Sequence, residues 1–574
     1  MPNLYCINEF SIISFCIAVA TGKKPYVIEV QPAIVFFRPT ILKFVKFLEK
    51  VGLVSDIKSL VPIYEPEIED EQRLHFHDVF AKIEPNIKKQ YKFDYLLEFL
   101  PRYGRAIQVS ASLHISQRLL SIFLIPHLLK TLPETTKIYG VLPDIATSIG
   151  VDTPQIKKTS SGFRIINFVL TSICFLKGVI WCFRRIRFSN PGPIPIAFAA
   201  DYTGDLDDEN IFSELREAGE ILLVARNSHL LEVAIKKKLP YKVCSSNDGV
   251  LSLLESIRVL LLMCQEMYKI YSVLGNQNPG LFYRTVPLPL RRAEYQAMFN
   301  KYKPKVFWGR DGYDPRHVLR KQELNKLGGS SWSVCQSFLP NGTAYPEFCY
   351  LFFDRYYVLG RGFYDTYYKT RWNKEIKVIS AASRASITFP RVPMSRKPND
   401  ILVMCSPFIM EERMIDFVRY IARHFNDRLI YLQIKKQVKE TSSGSLFLKM
   451  CQDNLDNIVN TNETIYQLFS KVRFGFSDPA TPAVEAPQFG VYGFALDLSN
   501  HRKSEIYRQI PGFSISSGKE GVKRIRDIES GHWDYPAKEI NKYIYLSGKN
   551  FGDQIRGDMG LAEKHRDISI WDIE

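Results

Sequence analysis

The sequence predicts an α/β protein of two doubly wound lobes in series, with an additional α/β segment ahead of them. Three observations carry this expectation. From residue 195 onward, short and almost wholly apolar runs such as Pro195–Ala200 and Leu429–Ile434 alternate with stretches of helical spacing, the pattern of parallel strands covered on both faces by helices. The 574 residues are more than one core organises, so two large lobes or three modules are expected. A hydrophobic share of 46% beside 24% charged residues describes a globular chain and excludes disordered and fibrous classes.

Residues 1–190 form the additional segment. Lys24–Glu29 reads as a short strand, Pro39–Val51 as a helix that stops at Gly52, and Lys137–Val141 as a further strand. Within this segment, Ile165–Phe183 approaches the length of a membrane span. Asn167, Lys177 and Gly178 interrupt it, and Arg184, Arg185 and Arg187 follow. A lysine at the centre of a span costs about 2.5–3.5 kcal/mol. A buried helix, or one lying on an anionic membrane surface, fits better than a span.

The run Asn190-Pro191-Gly192-Pro193-Ile194-Pro195 cannot continue a helix and marks a boundary. Residues 191–345 are expected to form the first lobe. Its strands are Pro195–Ala200, Glu220–Ala225, Tyr241–Cys244 and Lys305–Gly309, and its helices Asn210–Ala218, Leu230–Lys238, Gly249–Gly275 and Pro315–Leu327. Residues 346–510 are expected to form the second lobe. It opens with the strands Tyr356–Leu359 and Lys377–Ser380, continues with the unit Asp400–Met404, Glu411–Phe425 and Leu429–Ile434, and closes with Val472–Phe476, Pro482–Phe489 and Val491–Asp497. Residues 511–574 read as a tail that packs back on the lobes.

Charge and composition narrow the partners. Lysine and arginine number 76 against 60 acidic residues, a net charge of +16, which favours acidic partners. There is no zinc-finger spacing, RNP-like aromatic motif or long basic arm, so a phosphate-bearing small molecule or an anionic membrane is expected rather than nucleic acid. The ten cysteines are far apart with no C-x-x-C, and His75 and His77 have no cluster of further ligands around them. A reducing compartment without a bound metal follows. With no secretory signal at the N-terminus, a cytoplasmic protein is expected, peripheral at the inner face of the membrane if the apolar helix lies on lipid.

Two loops at strand ends carry candidate chemistry. In the first, a strand ends at Ser477, Thr481 is an N-cap type, and Pro482 suits the first helical position. The helix N-terminus then offers backbone N–H groups to a phosphate, and Glu485 in the first turn is placed to reach a ribose hydroxyl pair. Ser406, after the strand ending at Met404, suits phosphate contacts. Lys435, after Ile434, suits neutralising a phosphate leaving group. In the second loop, Trp308-Gly309-Arg310-Asp311-Gly312, a carboxylate leaves a strand between two glycines, with Arg310 and His317 close in sequence. Asp311 there suits a general base for an acceptor hydroxyl or a covalent nucleophile. Ordinary helix capping and surface pairing account for the same residues without any chemistry.

The segment Ser477, Thr481, Glu485-Ala486, Gly490 and Val491–Leu496 resembles the donor-nucleotide motif of GT-B glycosyltransferases. Tyr345-Pro346-Glu347 and the stretch from Phe353 to Trp372 resemble transferases of bacterial surface polysaccharides. The pattern covers roughly residues 195–500. It departs from the family at Gln336-Ser337, where a His-Gly pair is frequent, and it lacks the retaining signature of two spaced glutamates. The resemblance implies two Rossmann-like lobes of GT-B type and a metal-independent glycosyltransferase without a resident cofactor. The nucleotide sugar is then a co-substrate, and the acceptor a glycan or lipid-linked molecule. It implies a donor site at Ser477, Thr481, Glu485, Lys435 and Ser406. On the acceptor side it implies Asp311, with Asp201 as a further candidate base and Arg310 and His317 beside them. A glycerol-phosphate or polyol-phosphate transferase on a related fold, and a non-catalytic glycan- or membrane-binding protein on the same scaffold, are the alternative functions.

Overall fold

The computed structural model describes residues 3–30, 37–55, 84–116, 124–126, 128–129, 132–142, 146, 155–158, 163–187, 192–204, 206–310, 314–335, 349–389, 391–405, 412–434, 439–498, 505–546, 549–564 and 571. The chain divides into two compact units, residues 1–199, 244–331 and 343–354, and residues 200–243, 332–342 and 355–574. Three sheets run through it.

The first sheet belongs to the N-terminal segment. Its strands are β1 (Asn3–Ile7), β2 (Tyr26–Val30), β3 (Lys137–Val141) and β4 (Ile156–Lys158), in the order β2-β1-β3-β4. All its pairings are parallel, with Leu4 opposite Tyr26 and Ile138 opposite Ile156. The helices α1 (Ile12–Ala20) and α2 (Arg38–Lys50) close one core over it, with Tyr5, Phe15, Ile41 and Val45 buried. The expected α/β segment is thus present, and β1 is a strand that the sequence pattern did not disclose.

Between this sheet and the next lies α3 (Phe163–Arg185). It pairs with α4 (Leu253–Leu274), which starts at a capping box formed by Ser252 and Glu255. One stripe of α3 is buried, including Asn167, Leu170, Cys174, Gly178 and Cys182. The helices meet closely at Gly178, where a Cβ would lie 2.5 Å or less from the end of the Met263 side chain. The opposite stripe is exposed, so α3 is neither fully buried nor bare.

The second sheet comprises β5 (Ile194–Tyr202), β6 (Ile221–Ala225), β7 (Lys242–Ser245), β8 (Tyr302–Trp308), β9 (Ser330–Val334), β10 (Arg355–Val358) and β11 (Lys377–Ser380). Their order is β7-β6-β5-β8-β9-β10-β11. The third sheet comprises β12 (Ile401–Cys405), β13 (Ile430–Ile434), β14 (Ile458–Asn460), β15 (Phe474–Ser477), β16 (Tyr492–Leu496) and β17 (Ser514–Ile515), in the order β14-β13-β12-β15-β16-β17. It is parallel throughout. Counted from its own first strand, each of these two larger sheets begins 3-2-1-4-5-6, the order of dinucleotide-binding Rossmann folds. The expected pair of Rossmann-like sheets with an additional N-terminal segment is therefore what the chain forms.

The expected boundaries need correction. The strands near 356 and 377 do not open the second lobe, because β10 pairs in parallel with β9, Arg355 opposite Trp332 and Tyr357 opposite Val334, and so extends the second sheet. The third sheet starts only at Ile401. At its far edge β17 pairs with β16, which carries this lobe past residue 510. The C-terminal region is more than a tail. Its helix Gly518–Glu529 buries Val522 and Ile525 in the same core as Phe417 and Ile421 of the helix Glu412–His424. Further on, Asp558 accepts hydrogen bonds from Arg355 and Tyr357 of β10. The helix expected at Asn210–Ala218 runs instead from Leu206 to Glu214.

The helix α5 (Thr481–Gln488) follows β15 and lies close on β15 and β16 because the residues between them are small. A Cβ on Gly493 would sit 2.7 Å from Cδ of Pro487 and 3.0 Å from Cβ of Ala486. Gly493→Ala should therefore lower unfolding free energy by about 1–3 kcal/mol through overpacking. Gly557→Ala, in the helix Phe551–Asp558 with nothing within 4 Å of its Cβ, should be neutral or stabilise by up to about 1 kcal/mol. Urea unfolding of the two variants beside the parent checks both, and equal midpoints would contradict the close seating of α5.

Candidate functional site

In a parallel sheet of this order, loops from neighbouring strands diverge to opposite faces at one place, where the order reverses. In the third sheet that place lies between β12 and β15. The third sheet therefore offers a crevice at the carboxyl ends of these strands.

The third sheet's crevice is bordered by the β15–α5 connection. Ser477 ends β15 fully buried, and its Oγ donates to Oδ1 of Asp478 at 3.3 Å. The backbone N–H of Asp478 donates to the carbonyl of Met404 at 3.1 Å, which ties this loop to β12. The residue at the N-cap is Ala480, in extended conformation, while Thr481 is the first helical residue and Pro482 follows it. Thr481 is thus not the cap that the sequence suggested, and the N-cap residue Ala480 has no side-chain acceptor to offer the first turn. A helix N-terminus carries a partial positive charge that favours an anion.

Glu485 is buried, and its carboxylate is engaged within the fold. It accepts from Oγ of Ser383 at 2.6 Å and from the hydroxyl of Tyr466 at 3.1 Å. One turn on, buried Gln488 accepts from the backbone N–H of Ser383 at 2.8 Å. Its Nε2 donates to the carbonyls of Leu359 at 3.2 Å and Ala381 at 3.4 Å. These two side chains tether α5 to the segments that follow β10 and β11. Ser383, Tyr466 and Gln488 were not singled out from the sequence. The only signal for Ser383 was its place just beyond a short strand. Ser406 and Lys435, which follow β12 and β13 in the chain, lie outside the described residues.

In the second sheet, Asp201 sits near the carboxyl end of β5, as expected. It is buried and paired with Arg226, whose Nη2 is 2.9 Å from its Oδ2. Arg226 directly follows β6 and was missed, although an arginine at the end of an apolar strand was a usable signal. Trp308 ends β8, and Arg310 just beyond it is half-buried and partnered. Gly309 lies against the guanidinium of Arg320, whose Nη2 would be 2.1 Å from a Cβ placed there. Asp311 lies outside the described residues.

His317 does not have the exposure that acid–base chemistry requires. It is 1% exposed, its Nε2 accepts the backbone N–H of Phe352 at 3.1 Å, and its Nδ1 is bonded to the carbonyl of Asp314. That arrangement fixes the neutral tautomer with the proton on Nδ1. Burial lowers its pKa from 6.5 to about 4. The expectation of a catalytic role for His317 is replaced by a structural one, a staple between the start of the helix Arg316–Asn325 and the segment around Phe352.

No known protein family matches the chain, and no curated protein does. Among solved structures it is similar to S. aureus MnaA with UDP, at 11% identity and a TM-score of 0.35 over 66% of this chain and 100% of that one. It is similar to UDP-GlcNAc 2-epimerase from Neisseria meningitidis bound to UDP-GlcNAc, at 11% identity and a TM-score of 0.37 over 64% and 98%. It is also similar to the wall teichoic acid polymerase TagF soaked with CDPG, at 10% identity and a TM-score of 0.36 over 70% and 99%. Likenesses this loose carry no argument about function. The strand orders alone define the class, an α/β protein with two Rossmann-order sheets.

Two predictions follow from these contacts. Because the folded-state pKa of His317 lies below its unfolded value, the unfolded chain binds a proton first as pH falls. Stability present above pH 6.5 should be lost as pH drops toward about 4, with a slope of at most one proton. In His317→Gln, urea midpoints should fall less between pH 7 and pH 5 than in the parent, and an identical fall would contradict the buried neutral imidazole. Glu485→Ala should cost about 1–3 kcal/mol of stability, because it strands the hydroxyls of Ser383 and Tyr466. Glu485→Gln, which keeps an acceptor oxygen, should cost less, and thermal unfolding of the pair checks the order.

Proposed function

We propose that this protein is a glycosyltransferase of GT-B type that takes a sugar from a nucleotide-sugar donor and passes it to a glycan or lipid-linked acceptor. The observation that supports this most is the repetition of Rossmann strand order in two sheets of one chain. Two such sheets suit a reaction with two substrates. The donor is assigned to the third sheet. There the N-terminus of α5 favours a diphosphate, and Lys435 and Ser406 follow the neighbouring strands β13 and β12. Ribose hydroxyls would reach Glu485 by replacing the hydroxyls of Ser383 and Tyr466.

The acceptor is assigned to the second sheet. Asp311 is the proposed base or nucleophile, because it follows β8 between Gly309 and Gly312. Asp201, near the end of β5 and paired with Arg226, is the alternative base. No metal enters this proposal. The phosphate charge that departs with the nucleotide is met by the α5 N-terminus and Lys435.

The test is binding and hydrolysis with the purified protein. CDP, CMP, UDP and GDP are titrated by calorimetry, and CDP-, UDP- and GDP-sugars are followed for slow hydrolysis. One nucleotide should bind and its sugar should be cleaved, whereas binding of none of the four would overturn the proposal. If a nucleotide-activated polyol is turned over and no nucleotide sugar is, the activity is that of a polyol-phosphate transferase. With the active donor, Asp311→Asn should lower turnover by about 10²-fold or more while nucleotide affinity persists. Turnover near the parent's would remove Asp311 from the chemistry.

A further inference from the structure

The outward stripe of α3 consists of Ile165, Val169, Ile173, Leu176, Ile180 and Phe183, each at least 45% exposed. Helical spacing places all six opposite the buried stripe. The neighbouring α4 adds Leu254 at 79%, Leu261 at 68% and Tyr268 at 69% exposed, again opposite its buried residues. The two helices lie side by side, and Phe168 of one meets Tyr271 of the other edge-on at 5.9 Å. Apolar stripes on two long, adjacent helices exceed the scattered apolar residues of an ordinary surface.

The charges on these helices decide what covers it. Arg164, Lys177 and Arg184 on α3, Arg187 just after it and Arg258 on α4 are all exposed. There is no acidic residue in α3. The two in α4 are used internally. Glu255 accepts from the backbone N–H of Ser252 at 2.8 Å and from Asn300 at 2.9 Å, and Glu266 accepts from Tyr103 and Arg102. The face therefore offers hydrocarbon with cations and no carboxylate of its own helices. A second copy of the chain would bring these like charges together.

We propose that the α3–α4 face docks on an anionic lipid bilayer, with both helices lying in the plane of the interface. A span by α3 is incompatible with its other side. Asn167 there donates to the carbonyls of Gly275 at 2.9 Å and Gln277 at 2.8 Å, and Gly178 packs on Met263. In-plane docking keeps those contacts, buries the outward stripe at the acyl boundary and lets the arginines meet lipid phosphates. This inference is independent of the proposed sugar transfer.

The test is co-sedimentation of the full-length protein with vesicles of phosphatidylcholine alone or with about 30% phosphatidylglycerol. The parent should bind the anionic vesicles, more weakly the neutral ones, and less in about 0.5 M salt. The triple variant Ile165→Ser, Leu176→Ser, Phe183→Ser should partition at least tenfold less, with an unchanged melting temperature because all three positions are exposed. Arg184→Glu with Arg187→Glu should remove the preference for anionic lipid. Ile235→Ser, 62% exposed on another helix, should bind as the parent does. A parent that stays in the supernatant with both vesicles, or a triple variant that binds equally well, would overturn the proposal. So would a lipid-free dimer that the triple variant dissociates, since the face would then belong to a second copy.

Discussion

Where strand order reverses in a parallel sheet, two adjacent strands send their following loops to opposite faces, and a crevice opens at their carboxyl ends. In the third sheet this constraint acts between β12 and β15. It accounts for the position of Ser477 and of the start of α5, which leave a central strand of that sheet. The loop between them is tied to β12 through the N–H of Asp478 and the carbonyl of Met404.

The crevice of the third sheet is useful only if α5 is held still. Its backbone is seated by small residues, Gly475 and Gly493 beneath Ala486 and Pro487. Its polar side chains then anchor it sideways, Glu485 to Ser383 and Tyr466, and Gln488 to Ser383, Leu359 and Ala381. Buried polar groups of this kind are costly unless satisfied and directional when they are. They fix the helix whose N-terminus borders the crevice between β12 and β15. The same carboxylate thus has a structural task before any ligand arrives.

Much of this was legible in the sequence because apolar strands between helical stretches read directly as parallel sheets. Most strands of both large sheets fell close to where they were expected, whereas β9 and β17 were not anticipated. Sheet membership was not legible. The runs that became β10 and β11 look alike whichever sheet they join, and only pairing with β9 decides it. The three-residue β4 and two-residue β17 are too short for any periodicity. Asp201 was found by its position at the end of a strand, and Arg226, which follows a different strand, could have been noted in the same way, but their pairing shows only in the fold. His317 looked like chemistry because of its charged neighbours, whereas its partners are backbone groups, which the sequence does not announce. The apolar segment ending in arginines was ambiguous for a related reason. Its composition is that of a buried helix, and only the packing against α4 shows that half of it faces outward.

The central claim is that the crevice between β12 and β15 is the nucleotide site. Amide hydrogen exchange with and without the nucleotide that binds best tests it most directly, because it reports position as well as binding. The account predicts slowed exchange confined to the segments after β12 and β13 and to the first turn of α5, residues 477–485, with the ends of β5 and β8 unchanged until an acceptor is added. Slowed exchange at the end of β5 or β8 instead, with 477–485 unaffected while nucleotide is demonstrably bound, would contradict it.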